Sequence, residues 1–473
     1  MKMYDVIVVG SGIGGTLFAS LNHKKHDLLL FEKDNNLGGC SSTFKRFNNY
    51  YNTGATTFVG YEEGHIVKRF FDEVDYKPNL IQTKVGVRIV QDEKEVDRVQ
   101  DFESFLENIE KTYPNANNRH FWATIKEIDE KFWELKKLYY AKYSWSAYKQ
   151  SIACVTEILK TYKDQLFMSA DGFIKKSLGE ISSEYQAFID AQLLITLQTK
   201  SKELSLLTMA LGLAYPFHKT YYVQGGIGEL IEGLLKDVPY KKNEGILEIK
   251  RHADYYEVHS TKGIYHTKNV VLNSTIYQSS QLFDDKAIKK YYKKFKFNDQ
   301  SAFVLYLKVK SKADFLHHYQ IILDKQIPNS ISNSFFVSFS DKDDEKLSKD
   351  GYSITISTHT KASIWEGLSK KEYETKKLLT QEHITRAFLN YFDTIQEEDI
   401  SRAFSSTAKT FQSYIGRQNC GGEALKIKNI LSIPTCTTPF KGLYNIGDTV
   451  FAGQGWAGVA LGVDVLNKEF NNG

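Results

Sequence analysis

Cysteine is scarce in this chain: four residues in 473, at positions 40, 154, 420 and 436, with no C-x-x-C pair. Neither a disulfide framework nor a zinc site follows from that spacing. The sequence also lacks an H-x-x-x-H pair, a G-x-S-x-G elbow and a kinase signature, so no metal is expected and no side-chain nucleophile stands out. Neither sign of charge dominates. The 61 Lys and Arg against 57 Asp and Glu leave +4, which argues against bulk electrostatic binding of nucleic acid. No apolar run reaches the roughly eighteen residues of a spanning helix. The first residues enter a strand with no basic leader or small-residue cleavage site. Cytoplasmic residence is the expectation, and docking to the cytoplasmic face of a membrane stays open. Repeats and low-complexity tracts are lacking too.

The chain does have length. It exceeds one ordinary domain, so two domains, interleaved or not, are expected. Hydrophobic residues at 42% and charged residues at 25% are ordinary globular composition. Aromatic residues reach 14%, which suits large apolar cavities and equally a biased codon usage.

Residues 4–33 carry the strongest signal. Val6–Val9 reads as a parallel strand buried on both faces. It enters Gly10-Ser11-Gly12-Ile13-Gly14-Gly15, a G-x-G-x-x-G, with a helix expected over Thr16–His23. Gly10 allows the tight turn, Gly12 lets backbone approach a pyrophosphate, and Gly15 lets helix and strand pack closely. The helix start offers unpaired N–H groups to phosphates. A second strand, Asp27–Phe31, ends in Glu32, about 20 residues past the motif, where an acid accepts hydrogen bonds from ribose hydroxyls. Near the other end, Gly442–Asn445 reads as a short buried strand. Gly447-Asp448 follow, then a glycine-rich turn and a small-residue helix starting near Gly455. Asp448 lies beyond a strand's carboxyl end, where open α/β sheets meet ligands. The helix start would point N–H groups at partial negative charge.

Gly38-Gly39, following Glu32 in a polar loop, resemble the second diglycine of the glutathione-reductase-type FAD fold. Asn52-Thr53-Gly54-Ala55 is similar to that fold's D-x-G segment, with Asn52 where Asp is usual. The ending GD-x-x-x-x-GQG-x-x-GVA-x-G over 447–462 resembles the phytoene desaturase, carotenoid isomerase and retinol saturase family of FAD-dependent oxidoreductases. Tyr222-Val223-Gln224-Gly225-Gly226 is similar to the family's Y-P-x-G-G loop, with Val223 for Pro. Phe411–Arg417 resembles the isomerase and saturase branch. The resemblance covers both ends and the middle, and is thin over 75–215 and 295–405. It implies FAD as cofactor, contacted by Gly10, Ser11, Gly12, Gly14, Gly15, Glu32, Lys33, Gly38, Gly39, Ser41 and Gly54. Ile246 would serve adenine, and Gly447, Asp448, Gly455, Trp456, Gly458 and Val459 the flavin end.

The expected fold is α/β, a glutathione-reductase-type FAD-binding Rossmann domain with an interleaved α+β substrate domain. The FAD domain would be discontinuous, 1–70, 220–290 and 425–473. The substrate domain would take 71–219, largely helical, and 291–424, sheet plus helices. Strands are expected at 255–259, 263–266, 269–273, 302–309, 334–339 and 352–358. Helices are expected at 102–112, 120–140, 229–236 and 383–391. The charge cluster Asp341–Lys349 reads as a solvated loop.

No second G-x-G-x-x-G occurs in a strand–helix setting, so no dedicated NAD(P) domain is expected. Catalytic side chains are not identified. His218 and Arg417 are weak candidates, the latter to orient a polar substrate end or a flavin carbonyl. Residues 131–149 interleave aromatics (Phe132, Trp133, Tyr139, Tyr140, Tyr143, Trp145, Tyr148) with Lys136, Lys137, Lys142 and Lys149. A cap-domain helix with buried aromatics leads that reading, and an interfacial segment on a bilayer is the alternative. The function implied is an FAD-dependent oxidoreductase or redox-neutral isomerase acting on carbon–carbon double bonds of a lipophilic polyene or isoprenoid. The alternatives are a flavin amine oxidase and a non-catalytic escort of prenylated proteins of the GDP dissociation inhibitor type.

Overall fold

The computed structural model describes residues 2–472 except 55, 136, 137, 297, 298 and 423–431. Ala55, Lys136, Lys137 and the start of the expected third FAD-domain segment at 425 lie outside the described residues. The first sheet has the strand order 240–241, 28–31, 3–9, 264–272, 256–260, 246–251. Leu443–Asn445 lies beside the carboxyl end of Ile264–Leu272. Pairing is parallel from 240–241 through to 443–445, and the remaining two strands form an antiparallel meander. Val6, Ile7 and Val8 are fully buried, as a parallel strand covered by helices on both faces must be. The helices Ile13–Asn22 and Gly455–Asn472 pack on each other over that sheet.

The second sheet runs 400–406, 300–309, 352–361, 334–339, 318–322, 87–91, 94–98. Period-two alternation divides its side chains. Phe303, Leu305 and Leu307 join Ile354, Ile356 and Val337 in a core that Ile384 and Phe388 of the helix Lys370–Tyr391 cover. Ala302, Val304, Tyr306, Phe336, Ser357 and His359 turn the other way and line a cavity. Six helices between residues 102 and 214 form a cap with its own core around Phe105, Trp122 and Phe188. Five of them begin at an Asp or Ser that accepts a first-turn N–H, at Asp101, Ser144, Ser169, Ser182 and Ser205. The cap is tied to the sheet edge by the buried Arg98, which donates to the Leu213 carbonyl at 2.7 Å and to Gln192. Its guanidinium sits between the rings of Phe105 and Trp122, 4.5 and 4.9 Å away.

Three sequence expectations need correction. The helix expected over 120–140 is Asn118–Glu134. At Leu135 the backbone is extended, and further on the N–H of Ala141 donates to Ser151 Oγ at 3.0 Å and binds its segment alongside the next helix. The strands expected at 263–266 and 269–273 are one, Ile264–Leu272, whose first half pairs with 256–260 and whose second half pairs with 443–445. The cluster Asp341–Lys349 is not merely solvated. Asp344 is buried and accepts from Tyr222 Oη and the Gly225 N–H, both at 2.7 Å. Its other oxygen takes the N–H groups of Lys346 and Leu347. A carboxylate with four donors is satisfied away from water.

Candidate functional site

Register brings the site together. Val9 pairs with Phe31 on one side and Leu272 on the other, and Leu272 pairs with Asn445. The residues that follow these four, Gly10, Glu32, Asn273 and Ile446-Gly447, therefore leave the sheet at one level. A Cβ on Gly15 would lie 2.1 Å from the Gly10 carbonyl oxygen, so no other residue fits there. Asn273 packs beneath the loop, its side chain 2.5 Å from a Cβ on Gly12 and 2.8 Å from one on Gly14. Glu32 Oε2 accepts from the Ser11 N–H at 2.9 Å and the Ser11 hydroxyl at 2.7 Å, and its Oε1 accepts from the Asp34 N–H. Ser11 Oγ in turn takes the Gly38 N–H at 3.0 Å, linking the two glycine loops. Asn52 Oδ1 accepts from the Ile227 N–H and from Thr43 Oγ1, clamping the strand beside Gly54 onto the Gly225-Gly226 turn.

These loops surround one cavity of about 1430 Å³. It runs from Gly10–Gly14, Glu32, Lys33 and Ile246, past Gly38, Gly39, Ser41 and Gly54, to Gly447, Asp448 and Gly453–Val459. Every expected cofactor contact except the buried Ser11 and Gly15 lies on its wall, and those two support it from behind. The helix Ile13–Asn22 has no side-chain cap at Gly12, so its first N–H groups are open to a ligand. Gly39, Gly453 and Gly455 have left-handed φ values and meet nothing where a Cβ would stand. Ser41 Oγ, Gln454 Oε1 and Trp456 Nε1 are buried on the wall without hydrogen-bond partners. A long cradle with open helix N–H groups, an acid at each end and orphaned polar atoms along it fits FAD.

Arg417 does not face the apolar end. Both carboxylate oxygens of Asp448 accept from its Nη1 at 2.9 Å, and Nε and Nη2 donate to the carbonyls of Asn419 and Gly421. Beyond the glycine loops the cavity opens between the second sheet and the cap, where Ile195, Leu207 and Leu211 face Val304, Tyr306 and Phe336. His359 sits in this wall, and burial pushes its imidazole down to about 4, so it is neutral.

Sequence reasoning singled out His218 but missed the carboxylates around it. His218 hydrogen-bonds Glu62 through Nδ1 at 2.7 Å and Asp129 through Nε2 at 2.6 Å. Burial would press its pKa down, yet the bonds to Asp129 and Glu62 outweigh burial and lift it to about 10. His65, its ring 6.3 Å from that of His218 and tilted against Trp133 at 4.6 Å, is instead pushed down to about 4 by burial and by His218. Glu244 is a second omission, a buried carboxylate beside Lys33 and Gly245 that accepts from Ser260 and Tyr265. No short-range pattern marks either feature, since His218 is 156 residues from Glu62 and 89 from Asp129.

The fold and the cavity define an FAD-dependent oxidoreductase, and the protein is an enzyme. A family model described as an NAD(P)-binding Rossmann-like domain matches residues 8–74. Over 97% of its length the chain is 26% identical to prolycopene isomerase 2, chloroplastic, of an Oncidium hybrid cultivar, covering 82% of that protein. Among solved structures it resembles the CLA-producing fatty acid isomerase from P. acnes, with TM-score 0.59, 13% identity and 98% of each chain covered. A putrescine oxidase variant matches with TM-score 0.62 and 12% identity, over 99% of this chain and 98% of that one. A prolycopene isomerase, chloroplastic, of Daucus carota is similar at 25% identity, over 97% of this chain and 78% of that protein.

The charged His218 has a consequence for stability. A histidine raised to about 10 in the folded state contributes stability that is complete below its ordinary 6.5 and is lost as pH rises through 10. The depressed histidines, His65 and His359, act only below that window. Urea unfolding between pH 6.5 and 10 should show wild type losing stability relative to His218→Gln. Parallel curves would mean that His218 is not held protonated.

Proposed function

We propose that this protein acts on carbon–carbon double bonds of a long apolar polyene or isoprenoid, as a redox-neutral isomerase or as a desaturase or saturase. One observation carries the reading: the cofactor cradle opens directly into a chamber walled by apolar side chains of the second sheet and the cap. The similarity to a prolycopene isomerase over nearly the whole chain supports the substrate class and favours isomerisation.

In this reading the backbone N–H groups at Ile13–Gly15 hold the FAD pyrophosphate and Glu32 takes the ribose hydroxyls, with Ser11 keeping the carboxylate aimed. Asp448, held by Arg417, would serve the ribityl chain, and the N-terminus of Gly455–Asn472 would offer its N–H groups to the flavin's electron-rich edge. Bound FAD supplies two-electron chemistry. The chain supplies orientation and a dry wall, with Val304, Tyr306 and Phe336 on one side and Leu207 and Leu211 on the other. Glu32→Ala should weaken FAD binding by about 1.5–3 kcal/mol, the worth of hydrogen bonds to a charged group. Asp448→Ala should lower flavin retention or turnover. Equal thermal destabilisation of its FAD-saturated and FAD-free forms would make Asp448 structural instead.

Chemically reduced enzyme given cis polyenes in detergent, without oxygen, should change their absorbance and isomer profile. Simple amines should leave oxidised flavin unbleached and release no peroxide. Rapid bleaching by an amine, with polyenes inert, would make the amine oxidase reading the better one.

A lipophilic substrate needs a route from a bilayer, and the segment 131–149 splits accordingly. Trp133 and Tyr139 turn inward, the latter onto Glu469, whereas Trp145 is 86% exposed. It starts an apolar stripe along the helix Trp145–Tyr162, with Tyr148, Ile152, Val155 and Leu159, and Phe167 lies just beyond. Val155, Leu159 and Phe167 are also cavity-lining, so the stripe borders its mouth, flanked by the exposed Lys149, Lys160 and Lys163. Among the described residues no helix is long and apolar enough to cross a membrane. Docking on the cytoplasmic face of an anionic bilayer is the mode this surface supports. Replacing Trp145, Ile152 and Phe167 together by Ser should cut liposome co-sedimentation and leave the FAD spectrum unchanged. Undiminished sedimentation would refute docking through this stripe.

A further inference from the structure

We propose that Glu62, His218 and Asp129 form a proton relay joining solvent to the substrate chamber, and that Asp129 gives one proton to a carbon atom of the substrate and takes one from the same carbon. The proposal deepens the reading of a double-bond isomerase and rests on it.

The three groups come from separate elements. Glu62 is in the loop after Phe58–Val59, His218 precedes the strand Thr220–Val223, and Asp129 is on the helix Asn118–Glu134. Asp129 is the inner end: its side chain is 5% exposed, against 21% for Glu62 and 23% for His218. His218 and Asp129 border the cavity. Each His218 nitrogen has one carboxylate partner, at 2.7 and 2.6 Å, so the ring can pass a proton from one face to the other. Asp129 Oδ1 also takes the indole N–H of Trp133 at 3.3 Å, which fixes the carboxylate in place.

A cross-link alone does not account for the cluster. Two carboxylates around one imidazolium leave a net negative charge on the wall of an apolar chamber, and buried ions are a poor source of stability. The neighbouring groups do not compete for the proton. His65 is held neutral, and burial raises the phenols of Tyr162, beside Asp129, and Tyr221, beside Glu62. The net charge suits a cation in the chamber.

The step balances without an oxidant or reductant. The O–H bond of protonated Asp129 breaks and its proton bonds one substrate carbon through a π electron pair. This leaves a cation delocalised along the conjugated chain beside the carboxylate. A former cis double bond, lowered in bond order, rotates. Rotation presents either hydrogen of that carbon to Asp129, so the substrate's own hydrogen can leave as the proton that Asp129 takes up, its electron pair returning to the π system and the delivered hydrogen staying on carbon. His218 supplies Asp129 with its proton, and Glu62 restores the imidazolium from solvent.

The test uses FAD-loaded, reduced protein with a cis polyene in deuterated buffer, and carbon-13 and nitrogen-15 spectra of the His218 ring. Wild type should place solvent deuterium in the trans product, and both His218 nitrogens should remain protonated at pH 8. Asp129→Asn, with its FAD absorbance intact, should isomerise at least about 100-fold more slowly and without deuterium. Glu62→Gln, at the solvent end and milder for folding, should be slower yet still incorporate deuterium. Isomerisation by wild type without deuterium, by Asp129→Asn at the wild-type rate, or with His218 titrating near its ordinary value would overturn the relay alone. Polyenes left untouched by wild type would refute the substrate reading and the relay together.

Discussion

The shared register of four parallel strands is the constraint on which the rest of this structure depends. Phe31, Val9, Leu272 and Asn445 lie side by side, so the chain leaves the sheet four times at one level. Everything built there is dense. The Gly10 carbonyl leaves no space for a Cβ on Gly15, and Asn273 fills the space under Gly12 and Gly14. A slip of one residue in any strand would turn its buried face outward and separate Glu32 from Ser11. The glycine loop is thus rigid before any ligand arrives, and a preorganised loop gives up little entropy on binding phosphate.

The second sheet solves a different problem with the same periodicity. Alternate residues of Gln300–Val309 serve two masters, Phe303 and Leu305 beneath a long helix and Val304 and Tyr306 against the cavity. Because one face is pinned by its own core, the other can stay open over a large space without collapsing. The cap closes the opposite side, and its attachment through Arg98 to the carbonyl of Leu213 places the helix that carries Leu207 and Leu211.

The cofactor unit was legible because its signal is local. Strand, glycines, helix start and acid fall within about thirty residues, the span of one βαβ unit, and each residue type has a reason to be there. The strands 302–309, 334–339 and 352–358 were legible from their β-rich runs and fall within the observed strands. The end of the helix after Asn118 was not, since apolar spacing continues past Glu134 and it is contacts with Ser151 and Cys154 of the next helix that draw the chain away. Asp344 was misread for a related reason. A charged run looks solvated unless it is known that Tyr222 and Gly225, more than a hundred residues earlier, point donors at it. His218 could be singled out as a residue, but its partners could not, because neither carboxylate is near it in the chain.

Those carboxylates set the last point of synthesis. A chamber shaped for an apolar chain could be walled with Leu, Phe and Val throughout, and most of this one is. Desolvating an ion costs several kcal/mol, and pairing returns that only when geometry is close and the remaining lone pairs are satisfied. His218 meets the condition with two short bonds, and the Trp133 indole satisfies part of Asp129. The arrangement therefore breaks near even in stability while leaving one negative charge against the space where an apolar substrate would lie. Neutral residues of similar size would hold these three elements together at less cost. A charge kept at that position is better explained by what happens to the electrons of a conjugated chain beside it than by the fold it helps to close.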